Sequence, residues 1–293
     1  MPGTAELRTL RRRIRSTQNM QKITNAMELI AASRIARARA AVEQARPYAE
    51  GISQVIRDLS TATDLSDHPL LVRRDPVETV GVIVITADRG LAGAYNSNVL
   101  RRAERLIREL RSDHEIAIYQ VGRKGETYFR YRGESFADGW FGVTDKPTYD
   151  DAASIGEKVM NDYREERIDE LHLVYTDFRS TLNQVPTAVR LLPVEPRSFS
   201  GGQAYPPLFE FEPAPDEIVE RLLPRYIEHR IFAGLLESAA SEHASRQRAM
   251  KAASENAEEI VGNLTRDANR ARQAAITTEI TEIVGGAEAL AEG

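Results

Sequence analysis

Apolar residues from Leu7 to about Leu59 recur three or four apart: Leu7, Leu10, Ile14, then Ile23, Met27, Ile30, then Ile35, Ala38, Val42, Ala45. That spacing predicts one long amphipathic helix. Pro47 and Gly51 interrupt the pattern, and a proline can kink a helix without ending it. At 1.5 Å per residue, some 50 residues extend roughly 75 Å, more than an ordinary domain is wide.

The middle of the chain has another rhythm. "VGVIVIT" (80–86), "EIAIYQVG" (115–122) and "ELHLVYT" (170–176) are short apolar runs bounded by turn residues, and "TAVRLLPV" (187–194) is a candidate fourth strand. Helical patterns lie between them, at 96–110 and 150–166. Strands alternating with helices predict a Rossmann-like α/β domain with a mostly parallel sheet, placed at 75–200. Proline and glycine crowd 193–215, which reads as loop and linker.

Helical periodicity returns at Asp216. Pro224 falls inside it, so the first turns are expected as a separate short helix. The run to Val284 contains no further proline and predicts roughly 90 Å of helix. Met250, Ala253, Ala257, Ile260, Leu264, Ala268, Ala271 and Ala275 alternate three and four apart, which is coiled-coil spacing with mostly alanine knobs. The fold class expected is α/β. A long antiparallel coiled coil joins the N-terminal helix (1–60) to the C-terminal one (216–293), with the central domain at one end. The apolar residues Ala275, Ile276, Ile280, Ile283 and Val284 wind round the last helix rather than holding one stripe.

Charge sharpens this picture. The chain of 293 residues has net charge −5. Residues 1–47 alone hold ten basic and three acidic side chains, so a basic arm precedes an acidic body and calls for an anionic partner. The run "RTLRRRIRS" (8–16) fits a nucleic-acid arm, a transit peptide or a surface for an acidic protein. Periodicity continuing unbroken into 20–45 argues against a cleaved presequence. The absence of aromatic residues from 1–47 removes base-stacking platforms and argues against nucleic acid. There is no cysteine, which excludes disulfides, zinc–cysteine sites and thiol nucleophiles. No apolar run reaches the roughly 20 residues that span a membrane.

Candidate chemistry is sparse. "TADRGLAGAYN" (86–96) sits where a phosphate-binding glycine loop would, but Gly90 and Gly93 are spaced GxxG and no Gly-Lys-Ser/Thr follows. A tight strand-to-helix turn explains Asp88, Arg89, Gly90 and Gly93 equally, and a nucleotide-binding enzyme with a coiled-coil arm is the alternative. The five histidines are scattered, so neither a metal nor a cofactor is expected. Glu279 and Glu282 could pair for acid–base work, but a thin coil offers no pocket to exclude water, so an interface role is preferred.

Three stretches resemble the γ-subunit family of F-type ATP synthases: "IRSTQNMQKITNAMELIAASR" (14–34), "TADRGLAGAYN" (86–96) and "ITTEITEIVGGAE" (276–288). Asn25 and Arg34 stand where lysines are common and Ala92 where cysteine is common. The thiol-bearing insertion of chloroplast relatives is missing, so redox control is not expected. The resemblance implies a non-catalytic rotor shaft, its C-terminal helix turning in the bore of a hexamer of α and β subunits. A central domain attached to the ε subunit and the c-subunit ring is implied as well. By position it implies contacts with β at Met27, Arg272, Gln273, Thr277, Glu279 and Glu282. A basic collar of Lys22, Arg34, Arg37 and Arg39 would face an acidic β loop. It implies a peripheral place on the cytoplasmic face of a bacterial plasma membrane, and coupling of proton flow to ATP synthesis.

Overall fold

The computed structural model describes residues 2–62, 68–194 and 212–291. In chain order the elements are α1 (Pro2–Ala62), β1 (Thr79–Ile85), α2 (Tyr95–Leu110), β2 (Glu115–Val121), α3 (Arg123–Tyr131), β3 (Asp138–Trp140), α4 (Tyr149–Arg164), β4 (Glu170–Phe178), β5 (Gln184–Leu192) and α5 (Pro215–Ala291). The residues fall into two compact units, 31–246 and 1–30 with 247–293.

The larger unit is built on a five-stranded sheet of order β3-β2-β1-β4-β5. β1 pairs in parallel with β2 and β4, β2 in parallel with β3, and β5 closes the edge antiparallel to β4. Side chains alternate across the pleat, so successive β1 residues feed two cores. Val80, Val82 and Val84, with Ile118, pack under Val99, Ala103, Leu106 and Ile107 of α2 and Phe129 of α3. Ile83 and Ile85, with Tyr119 and Val121, face Ile155 and Val159 of α4, Ile52, Ile56 and Leu59 of α1, and Val219, Leu223, Ile227 and Ile231 of α5. α1 runs antiparallel to α5 here: His229 Nε2 meets the Ala45 carbonyl at 3.1 Å and its ring lies beside Tyr48, while Ala38 shares a cavity lining with Ala239.

Two local expectations need correction. α5 is continuous through Pro224, because Val219, Leu223, Ile227 and Ile231 are all fully buried on either side of it. That packing outweighs the roughly 3 kcal/mol a helical proline costs. The helix runs on through Gly285 to Ala291, inside the 216–293 expected for it. Two short elements, α3 and β3, were not legible, and β5 starts at Gln184, three residues before the expected strand. The proline- and glycine-rich stretch at 193–215 lies largely outside the described residues.

In the smaller unit the α1 residues turned inward are Leu7, Leu10, Ile14, Thr17, Gln21, Thr24 and Glu28, with Met27 beside them. From α5 they are Met250, Ser254, Ala257, Val261, Leu264, Ala268, Ala271 and Ala275. Both rows keep the three–four alternation of a coiled coil. Ser254 donates to Asn25 Oδ1 across the pair. Val261, not Ile260, occupies the seam, and Ile23 and Ile30 stand outside it, each more than half exposed. No described helix is long and apolar enough to cross a membrane.

Candidate functional site

The turn after β1 is fixed by its own polar side chains. Thr86, buried at the strand end, donates to the carbonyls of Val121 (3.0 Å) and Gly122 (3.1 Å) and accepts from Gly125 N (2.9 Å) and Gln120 Nε2 (3.1 Å). Asn96 Oδ1 accepts from Ala87 N at 2.9 Å, closing the turn onto the start of α2. The Asp88 carboxylate takes Thr144 Oγ1 (2.9 Å), Thr144 N (3.2 Å) and Arg123 N (3.2 Å). Gly93 and Leu91 both have positive φ, 54° and 62°. Glycine reaches that region freely. A leucine held there is strained, and this one is 62% exposed. Arg89 is exposed as well.

In open α/β sheets the crevice beyond the carboxyl ends of the strands is the usual ligand site. Here α5 fills it. Ser238 Oγ accepts from Thr176 N at 3.2 Å, and Ser241 Oγ donates to the Thr176 carbonyl at 3.2 Å. One turn on, Arg246 donates to Glu242 Oε1 (2.5 Å) and to the Gly90 carbonyl (3.1 Å), latching α5 to the glycine turn. His243 Nε2 lies 3.2 Å from the Asp145 carbonyl and its Nδ1 3.3 Å from Arg246 Nη1. These partners assign a neutral imidazole with its proton on Nε2.

Electrostatics follow burial. Desolvation pushes the Glu242 carboxyl up to about 7 against the pull of Arg246, and pushes His243 down to about 4. Desolvation and the nearby Glu242 charge raise the Tyr95 hydroxyl too. Sequence reading missed Glu242, His243, Thr144 and Asp145. Glu242 and Arg246, four apart on a helix, are the one pair whose spacing could have pointed to it. Among the described residues no group of three or more His, Asp or Glu side chains has the geometry to hold a metal.

The other candidates are dispersed. Arg34 pairs with Asp145 on the rim of a cavity of about 260 Å³ that also reaches Arg37, Lys146 and His243. Arg37 and Arg39 are exposed, and Arg37 bonds Ser33 Oγ at 3.2 Å. In the coiled-coil unit Lys22 is exposed and Met27 half-buried. Arg272, Gln273, Thr277, Glu279 and Glu282 are all exposed, and Thr277 Oγ1 bonds the Gln273 carbonyl at 3.0 Å. Ile276, Ile280, Ile283 and Val284 stand beside them, each about half exposed or more, and on the continuous helix they share an arc of about 100°, one stripe rather than the winding face expected.

Residues 6–290 match the family model described as ATP synthase. The ATP synthase gamma chain of Saccharopolyspora erythraea is 49% identical over 302 aligned positions, covering 98% of each chain. That of Mycolicibacterium smegmatis is 48% identical, again over 98% of each. Among solved structures, the central stalk and c-ring of the Tetrahymena thermophila mitochondrial ATP synthase contains a similar chain. It has a TM-score of 0.61 and 25% identity, over 79% of this chain and 99% of that one. A chain of the Euglena gracilis mitochondrial enzyme, in an assembly of OSCP, F1 and c-ring, shares the fold at a TM-score of 0.68. It is 15% identical over 98% of this chain and 95% of that one. With its whole length matched in this way, the chain belongs to the ATP synthase γ-chain family.

Proposed function

We propose that this chain is the non-catalytic central shaft of a rotary ATP synthase. It couples proton flow through the membrane sector to nucleotide turnover on β. The observation that carries the reading is the end of α5. From Ile276 to Val284 four large apolar side chains are exposed along one arc of about 100° of a helix that has no partner on that side among the described residues. A globular domain has no use for such a surface, but a shaft surrounded by partners does.

In this reading α5 turns inside a hexamer of α and β subunits. The central domain meets ε and the c-subunit ring at the cytoplasmic face of the bacterial plasma membrane. Met27, Arg272, Gln273, Thr277, Glu279 and Glu282 contact β, and turning changes which β conformation is favoured. Lys22, Arg37 and Arg39 meet an acidic β loop at about 1 kcal/mol or less each, as exposed pairs do. Arg34 would have to leave Asp145 to join them. The filling of the crevice at the strand ends by Ser238, Ser241, Glu242 and Arg246 supports a role without nucleotide chemistry on this chain.

The test is co-expression with the α and β subunits, native mass spectrometry and an ATPase assay. One copy per six partners, with activity that depends on it, is expected. Assembly of an equally active hexamer without this chain would sink the reading. Met27→Lys adds a cation facing the acidic loop and should impair proton-coupled synthesis more than ATP hydrolysis. Equal loss of both would remove Met27 from the contact.

A further inference from the structure

The sequence of α2, "YNSNVLRRAERLIREL", turns Tyr95, Val99, Leu100, Ala103, Leu106 and Ile107 into the core. Asn98, Arg101, Arg102 and Arg105 remain on the opposite side. At 3.6 residues per turn they share an arc of about 100°. They line a groove of about 310 Å³ whose far wall is Pro186 of the edge strand β5.

Three features separate this groove from an ordinary solvated charged face. Its lining contains no carboxylate. The neighbouring acid Glu104 is taken by Arg132, and Arg111 is taken by Glu134. Second, Arg101, Arg102 and Arg105 make no ion pair among the described residues. By contrast Arg246 is paired with Glu242, Arg74 with Asp169 and Lys158 with Asp162. Three neighbouring guanidiniums without a counter-charge repel one another, and an anion between them relieves that repulsion. Third, the groove is pre-set. Arg101 donates to the Ser97 carbonyl at 3.2 Å and to Asn98 Oδ1, which leaves the Asn98 amide nitrogen as a further donor.

We propose that the groove between α2 and β5 binds a phosphate-bearing anion, held in the guanidinium forks of Arg102 and Arg105 with Arg101 and Asn98 beside them. The planar fork matches two phosphate oxygens at once, a geometry that a lysine cannot offer. The chain as a whole carries −5, so binding here reflects local arrangement, not bulk attraction. The phosphate can belong to a soluble anion or to a phospholipid headgroup. The site is independent of the rotor reading and stands or falls without it.

The test titrates the full chain with pyrophosphate by calorimetry and measures its retention on vesicles of phosphatidylcholine with phosphatidylglycerol. Saturable pyrophosphate binding is expected. Arg102→Gln and Arg105→Gln should each weaken it about tenfold or more. Arg108→Gln removes the same charge from the same helix outside the groove and should change it by about twofold at most. Retention on vesicles that pyrophosphate reverses assigns a headgroup, and pyrophosphate binding without retention assigns a soluble anion. Failure of both probes to bind saturably, or an Arg108→Gln loss as large as that of Arg102→Gln, overturns the proposal.

Discussion

Replacing Arg246 by alanine strips three contacts from the latch between α5 and the glycine turn: Glu242 Oε1 at 2.5 Å, the Gly90 carbonyl at 3.1 Å and His243 Nδ1 at 3.3 Å. The pair is shielded, with side-chain exposures of 9% for Arg246 and 2% for Glu242. Breaking a buried pair costs about 3–5 kcal/mol when a charge is left behind. Glu242 has an escape, because burial already holds its pKa at about 7 and loss of Arg246 raises it further. A carboxyl with a folded pKa above its unfolded one binds more protons when folded. Its contribution to stability is complete below the unfolded value and disappears as pH rises through the folded one. In the variant that loss continues to higher pH, at about 1.4 kcal/mol per unit. The cost of Arg246→Ala therefore grows with pH. Near pH 5.5 Glu242 is neutral in both proteins and only hydrogen bonds are lost, about 1–3 kcal/mol. Near pH 8.5 the full penalty of about 3–5 kcal/mol applies. Urea unfolding of the full chain, followed by the fluorescence of Trp140, reads this directly. Trp140 is the single tryptophan and packs on the larger core of the same unit. Adding Glu242→Gln should flatten the pH dependence of the Arg246→Ala cost. An equal cost at both pH values, or a double variant with the same slope as Arg246→Ala, would refute the reasoning.

Glycine replacements should act in opposite directions. Gly122 has φ +90° and a methyl there would lie 2.2 Å from the Thr86 carbonyl oxygen, so Gly122→Ala should cost about 3 kcal/mol or more in the same urea assay. Gly262 has open space around it inside α5, so Gly262→Ala should stabilise the helix by about 0.5–1 kcal/mol, and a lowered helical melting temperature would contradict this. Asp162 is shielded and receives Tyr119 Oη (2.6 Å), Lys158 Nζ (2.7 Å) and Arg167 Nη1 (2.6 Å). Burial raises its pKa, but Lys158, Tyr119 and Arg167 outweigh that and hold it below the usual carboxylate value. Its stabilisation is thus present above the unfolded pKa and lost as pH falls through the folded one. Asp162→Ala should cost about 2–4 kcal/mol near neutral pH, and Tyr119→Phe should then add almost nothing; an undiminished Tyr119→Phe cost in that background would show the two are not coupled.

What the sequence revealed, and what it hid, follows from where the physics is local. β1 was legible because six successive residues, Val80 to Ile85, are buried and read as an unbroken apolar run. α3 and β3 were not, because nine and three residues carry too few periods to register, and what places them is the bend at Gly122 and pairing with β2. The Glu242–Arg246 latch was hidden because its meaning depends on Gly90, more than 150 residues away. The coiled coil is the most instructive case. Between Thr17 and Ile30 the sequence offers two rows with the same spacing, Thr17-Gln21-Thr24 and Met20-Ile23-Met27-Ile30. Hydrophobicity alone selects the second, yet the first faces inward, and of the second only Met27 is half-buried. The inward row of α5 mixes the small residues Ser254, Ala257 and Ala268 with Val261 and Leu264, and the small side chains let the backbones approach closely where they meet. Met20, Ile23 and Ile30 left outside on α1 and the isoleucines left outside on α5 then have one physical explanation. Each would bury roughly 2 kcal/mol of side chain against something, and within the smaller unit the inward rows of α1 and α5 face each other. Periodicity shows that a helix has apolar rows. It does not show which row belongs to the chain itself and which is kept for the subunits around it.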